Sequence, residues 1–134
     1  MALFRVEPTR AVRAAVQVGQ EYAITQGASG KVLLAFSQPL SVGYDQIRDQ
    51  LWAASYGERD PETASVAAPV FGVTGELQGA LTLSGPRDRL AQPEAMYKAC
   101  CQVLEAAKEG THALGGESHR FGIGIEALSV GRFV

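Results

Sequence analysis

The residues that most suggest a binding site are the small ones at positions 27–30, Gly-Ala-Ser-Gly. They directly precede the run from Lys31 to Phe36, which predicts a buried helix of about two to three turns, so they stand at its N-terminus. There the free backbone N–H groups and the helix dipole attract an anion. The same small residues would also let the helix pack closely on a sheet, and the local sequence leaves both interpretations open.

Small hydroxyl side chains follow on predicted neighbouring strands, at Ser65, Thr82 and Ser84. Together they could supply the few polar contacts of an otherwise apolar pocket. Each hydroxyl taken singly is better explained by ordinary strand packing. The presence of these hydroxyls together with the small residues 27–30 favours a binding function.

Catalytic and nucleotide-binding motifs are incomplete around Lys31. A phosphate-binding loop needs a glycine where Thr25 stands and Ser or Thr where Val32 stands. A nucleophile elbow fails because Gly30 follows Ser29 directly. Ser29 and Lys31 are two positions apart and would point to different faces of a helix, which disfavours a catalytic dyad. We therefore expect no enzyme activity and no cofactor.

The candidate metal ligands match no zinc spacing; they are Cys100, Cys101, His112 and His119. Cys100 falls on an apolar helical stripe and is predicted to be a core residue. A disulfide between adjacent cysteines is strained, so both are expected to be reduced, as is typical inside cells. With no apolar run long enough for a leader or a membrane span, the sequence predicts a cytoplasmic protein with no membrane partner and no metal.

The length of 134 residues predicts one domain, and the change in composition after Gly116 is the only candidate boundary. Twelve basic and 14 acidic side chains give a net charge of −2. The charges form no basic stripe of the kind that DNA-binding modules carry. We therefore expect no DNA binding by this chain alone.

Hydrophobic periodicity predicts the elements that must position these residues. Residues 3–7 alternate like a short strand that Pro8 ends, and residues 11–18 suit a short helix that leads into a strand. Residues 44–54 read as an amphipathic helix, because apolar side chains recur at spacings of four and three up to Ala54.

Two β-rich runs, residues 64–71 and 76–84, flank a glycine-bearing turn and predict a hairpin. Pro69 predicts a bulge or an edge position, because it cannot donate to a strand ladder. Residues 93–108 predict the longest helix, ending at the glycines from position 110 onward. Residues 120–126 alternate like a strand. The apolar stripe of the long helix consists of Met96, Cys100, Val103, Leu104 and Ala107.

Four of these segments, residues 27–36, 55–58, 65–71 and 81–86, resemble in order and spacing the effector-binding domain of IclR-type bacterial transcriptional regulators. The resemblance covers roughly residues 3–116. It implies an α+β, GAF-like fold, a curved antiparallel sheet flanked by helices, which here starts after the first helix and strand of the family domain. Residues 1–116 would form the effector-binding domain, and residues 117–134 an unassigned tail for which an extra strand is one interpretation.

The resemblance also implies an effector site. In this family the backbone before the Gly-Lys pair forms the pocket floor, which corresponds to Ala28 and Ser29. Ser55 takes the place of an acidic ligand contact. The segment near Ala11 and Ala14 corresponds to an apolar lid, with alanines where some family members carry larger side chains. The remaining implied contacts are the hydroxyls of Ser65, Thr82 and Ser84.

The function implied by the resemblance is sensing of a small metabolite, expected to be an organic acid, by a homodimer or homotetramer. DNA would be bound only through a winged helix-turn-helix that this sequence does not contain. Two alternatives stay open: an oligomerisation module whose pocket has degenerated, and an enzyme that uses Ser29 with Lys31.

Overall fold

The computed structural model describes residues 27–37 and 42–134. Within them three strands form one antiparallel sheet in the order β1-β2-β3. The expectations for residues 3–7 and 11–18 lie outside the described residues. The strands are β1 (Ala53–Tyr56), β2 (Thr63–Phe71) and β3 (Leu77–Pro86), and the helices are α1 (Gly27–Phe36), α2 (Asp45–Gln50), α3 (Arg87–Leu90), α4 (Pro93–Ala113) and α5 (His119–Ala127), followed by a 3₁₀ turn (Val130–Phe133).

The sheet lies between α1 on one face and α4 on the other, which confirms the predicted α+β class. Side chains alternate between the two faces of a strand, and β2 is buried on both. Val66 and Val70 join the core under α4, whereas Ala67 packs in the smaller core under α1. The central strand therefore separates two apolar layers.

The predicted hairpin is confirmed, with β2 paired to β3 along its whole length. Pro69 lies in the central strand, opposite Ala80, and the pairing with β1 stops at Ala67. The irregularity that a proline predicts comes one residue further on, as a register shift between Val70 and Phe71.

Helix α4 is the longest helix, as predicted, and its five-residue apolar stripe is buried against the sheet. The helix continues through Gly110 to Ala113, past the end that the sequence predicted. Gly110 lies against β2, where a Cβ would make an ordinary van der Waals contact 3.5 Å from Val70 Cγ1.

The helix expected over residues 44–54 is correct only as far as Gln50. Leu51 takes a left-handed conformation with φ 70°, while its N–H donates to the Ile47 carbonyl at 2.8 Å. The chain then enters β1, so Ala54 belongs to a strand. Leu51 and Ala54 have helical spacing in the sequence but reach the core from different elements.

The strand expected over residues 120–126 is wrong, because this segment is the helix α5. Phe121 is fully buried, and Ile125 and Leu128 pack against the same core. These apolar residues recur at spacings of four and three, which is helical, and the alternating glycines obscure the pattern. The tail therefore packs on the core that contains α4.

Candidate functional site

Three predicted site residues stand side by side on the sheet. Ser55 on β1 is opposite Ser65 on β2, which is opposite Ser84 on β3. Residues opposite one another share a face, and each of these serines is 3% exposed. We call Ser55, Ser65 and Ser84 the serine row. It lies on the α1 face of the sheet, because Ala67, two positions beyond Ser65, packs under α1.

Thr82 stands next to the serine row, two positions before Ser84 on β3 and opposite Ala67. It is 2% exposed. Its Oγ1 atom is buried and has no hydrogen-bond partner among the residues that the structure describes. A buried hydroxyl without a partner costs free energy, so it is the kind of group that a ligand can satisfy.

Helix α1 covers the small residues of this face. Ala28 and Val32 pack against Ala53, Ala67 and Ala80. The serine row lies at the end of the sheet where β1 finishes and β2 begins. Lys31 of α1 contacts the same end, because its Nζ donates to the Ala54 carbonyl at 3.1 Å. The N-terminal turn of α1 is therefore on the same side of the sheet, and at the same end, as the serine row.

The first turn of α1 is itself formed by the small residues at positions 27–30. Gly27 has φ +81°, a conformation that side-chain-bearing residues rarely adopt, and a Cβ there would lie 2.5 Å from Arg59 Nε. Glycine thus lets the loop residue Arg59 cross the start of the helix. Ala28 and Ser29 follow, at 0% and 4% exposed.

A carboxylate that the sequence did not single out reaches this helix end. Glu58, in the loop between β1 and β2, accepts a hydrogen bond from the Gly27 N–H at 3.3 Å through Oε1. Its other oxygen pairs with the Lys31 ammonium. The available signal was the position of Glu58 in the resembling segment 55–58. The resemblance placed Ser55 where an acidic contact is expected, and in the structure the acidic side chain is three positions further on.

Lys31, the residue considered as a catalytic partner of Ser29, takes part in the same contacts. Its ammonium is engaged by Glu58 and by the Ala54 carbonyl, and no hydrogen bond joins it to Ser29 within the described part of the chain. The alanines at positions 11 and 14, the implied lid, lie outside the described residues.

Cys100 is buried in the core, and the adjacent Cys101 is partly exposed. Burial raises the pKa of the Cys100 thiol, and the neighbouring Cys101 raises it further. Such a thiol stays protonated and is a poor ligand or nucleophile.

In residues 27–37 and 42–134, no cluster of three or more His, Cys, Asp or Glu side chains could hold a metal ion. No helix in this part of the chain has the length and the apolar character that crossing a bilayer requires.

Comparison with known proteins gives one consistent family. The sequence profile for "Bacterial transcriptional regulator IclR C-terminal" matches residues 37–111, more than half of the chain. The HTH-type transcriptional regulator BhcR of Paracoccus denitrificans is 29% identical over 134 aligned positions, which cover 80% of this chain and 47% of BhcR.

Solved structures agree on the fold. An IclR transcriptional regulator from Alicyclobacillus acidocaldarius is 25% identical with a TM-score of 0.67, over 81% of this chain and 52% of that one. The Thermotoga maritima IclR is 20% identical with a TM-score of 0.68, over 82% of this chain and 54% of that one. The chain thus spans about half the length of these relatives.

Proposed function

The chain belongs to the bacterial transcriptional regulator IclR C-terminal family, and we propose that it senses a small organic acid at the serine row beneath the first turn of α1. The family consists of transcriptional regulators, not enzymes. In this proposal the backbone of Ala28 and Ser29 receives the carboxylate, and the hydroxyls of the serine row and Thr82 bind the rest of the ligand.

The observation that carries the proposal is the unpartnered hydroxyl of Thr82 beside the serine row. Four hydroxyl side chains, each at most 3% exposed, share one face of a sheet that otherwise presents alanines to α1. Buried polar groups are normally hydrogen-bonded. A ligand with oxygen atoms would give the Thr82 hydroxyl a partner, and the nearby helix N-terminus favours a negative charge.

Sensing then requires that the ligand shift an assembly between two arrangements. We propose that the chain forms a homodimer or homotetramer, and that acid binding changes how the subunits sit together. DNA would be bound by a winged helix-turn-helix outside this sequence, which the change in the assembly would reposition. The regulated genes and the direction of regulation belong to that larger protein.

The test is titration of the 134-residue chain with acetate, propionate, succinate and benzoate, followed by thermal shift and calorimetry. A ligand that binds only the folded state raises Tm, and above Kd the stabilisation grows with the logarithm of the ligand concentration. We expect at least one acid to bind saturably, and Ser65→Ala and Ser84→Ala each to weaken its binding by up to about ten-fold, because each removes a hydrogen bond to the ligand.

Ser129→Ala is the matched control, because it removes a serine hydroxyl from an exposed position in the tail. It should leave acid binding unchanged. If no acid stabilises the fold and neither serine variant alters any binding, the pocket does not exist.

The alternative is an oligomerisation module without a working pocket. The close packing of Ala28 and Val32 on three alanines favours it, because side chains that small leave little depth beneath the helix. Analytical ultracentrifugation with and without the acids separates the two functions. An assembly that forms normally and never responds to an acid supports the alternative.

A further inference from the structure

A groove of about 410 Å³ separates α2 from α5 and the 3₁₀ turn. Trp52, Ile123 and Leu128 form its apolar lining. The Trp52 side chain belongs to the core under α4, whereas the serine row is on the α1 face. The lining includes residues from 120 to 132, beyond the segment 37–111 that matches the family. The groove is therefore separate from the proposed acid site.

Two arginines stand at the groove and are held there by single hydrogen bonds. Arg120 Nη2 donates to the Arg48 carbonyl at 2.7 Å, and Arg132 Nη2 donates to Gln50 Oε1 at 2.7 Å. The Arg132 guanidinium also lies 5.8 Å from the centre of the Trp52 ring, a cation–π contact. A guanidinium carries five N–H donors, so these contacts orient each arginine without using up its donors.

Among the groove-lining residues, the charges of these two arginines are only partly offset by a carboxylate. Asp49 lines the same groove, yet within the described residues neither Arg120 nor Arg132 comes within ion-pair distance of any acidic side chain. Two positive groups against one negative group leave the groove with a net positive charge. A ligand carrying one carboxylate would complement it and could be held by both guanidinium groups.

We propose that this groove is a second small-molecule site, which takes a monocarboxylate with an apolar body. The carboxylate lies between Arg120 and Arg132, and the apolar body lies against Ile123 and Leu128. The volume is within the range of about 300–1,000 Å³ that is usual for ligand pockets. Gly124 brings α5 close to the end of α2, where a Cβ would lie 3.4 Å from the Gln50 carbonyl oxygen.

The chain carries its own reporter for this site, because Trp52 is its single tryptophan. We would titrate the 134-residue chain with benzoate and follow the fluorescence of Trp52. Benzamide, which lacks the charge, and acetate, which lacks the apolar body, are the matched ligands. We expect a saturable change with benzoate. Benzamide and acetate should each bind at least about ten-fold more weakly than benzoate.

Two variants test the geometry. Arg120→Gln should weaken benzoate about ten-fold by removing one charged partner. Ala127→Phe, at an exposed position in the groove wall, should fill the groove and block binding while both arginines remain. Arg89→Gln, which removes an exposed arginine outside the groove, should leave the fluorescence titration unchanged.

Three results would overturn the proposal. The first is the absence of any saturable change with benzoate. The second is a change that Ser84→Ala abolishes and Arg120→Gln does not, which would assign the binding to the serine row. The third is dissociation of the assembly by Ala127→Phe without loss of benzoate binding. That result would make the groove an interface between protein chains.

Discussion

The side chains of Lys31 and Glu58 form an ion pair across the first turn of α1, with 25% and 33% of their surfaces exposed. The lysine belongs to the helix and the glutamate to the loop between β1 and β2. This pair brings a carboxylate of the protein to the helix end that attracts an anion. An acidic ligand that approaches the backbone of α1 therefore competes with a group that is already there.

Glu58→Gln should strengthen acid binding. The substitution keeps the shape of the side chain and removes its charge, so the Lys31 ammonium loses its charged partner and becomes available to a ligand. We expect affinity for a monocarboxylate to rise about ten-fold, the worth of about one charge-assisted hydrogen bond. Stability should change by less than about 1 kcal/mol, because the pair is partly exposed. Calorimetry and urea unfolding measure the two effects.

Glu62→Gln is the control for this prediction, because it removes an exposed carboxylate that ends the same loop. Its affinity for acids should match that of the unmodified chain. Weaker binding in Glu58→Gln would mean that Glu58 holds Lys31 in place for the ligand instead of competing with it.

Thr82→Val and Thr111→Val should change stability in opposite directions. The Thr82 hydroxyl has no partner in the described part of the chain, so its replacement by an isosteric methyl should raise the free energy of unfolding by about 1 kcal/mol. The equally buried Thr111 hydroxyl accepts a hydrogen bond from the Phe71 N–H at 3.1 Å. Its loss should cost about 1–3 kcal/mol. Urea unfolding of both variants provides the comparison.

The same pair of variants reports on the pocket. Thr82→Val should lose affinity for any acid that binds at the serine row, whereas Thr111→Val should retain it in the folded protein. If Thr82→Val proves as destabilising as Thr111→Val, the Thr82 hydroxyl has a partner inside the protein and is not directed at a ligand.

Phe121→Ala should show that the tail is part of the folded core. Its ring is 1% exposed and lies 6.2 Å from that of Phe71, centre to centre. Truncation of such a side chain costs about 3–5 kcal/mol. Ile123→Ala, two positions away and 55% exposed, should change stability by no more than about 0.5 kcal/mol. Similar small effects for both would leave residues 117–134 as an independent tail.

The turn between β2 and β3 should lose stability in acid through Glu76. Hydrogen bonds from the Thr74 hydroxyl and from nearby backbone N–H groups lower the pKa of this carboxyl from its ordinary value of 4.5. The Glu76 carboxyl therefore binds a proton less tightly in the folded chain than in the unfolded chain. The stabilisation is present above the ordinary pKa and is lost as the pH falls through the lower folded value.

Glu76→Gln should remove this pH dependence, because an amide does not titrate in that range. NMR titration of the Glu76 carboxyl gives its folded pKa directly, and unfolding experiments between neutral pH and about pH 3 compare the two proteins. A midpoint for Glu76 at or above the ordinary value would contradict the prediction.

The hairpin and the long helix were predictable from the sequence because their signals are local. Alternation of side chains around a short turn specifies β2 and β3, and the stripe from Met96 to Ala107 specifies the buried face of α4. Two errors came from ambiguous spacing. The helical spacing of Leu51 and Ala54 concealed β1, and the alternation of glycines concealed α5.

The candidate site was predicted in part. Ser65, Thr82 and Ser84 stood out because they lie on strands that the sequence identified and in segments with a family resemblance. Ser55 was placed by resemblance alone, and its position in the serine row depends on β1, a strand that the sequence pattern did not indicate. Glu58 was missed because its contact with Gly27 joins residues 31 positions apart.

By itself the sequence determined the class of the fold, the family and the small residues at the start of α1. The family and the fold class follow from the resemblance of four short segments to IclR-type effector domains, and the small residues are read directly from positions 27–30. Each of these signals lies within a short stretch of neighbouring residues. Only the tertiary structure decided the register that aligns the serine row, the carboxylate that meets Lys31 and the groove beside Trp52. Those contacts exist because the packing of separate elements around the sheet brings together residues that no local pattern connects.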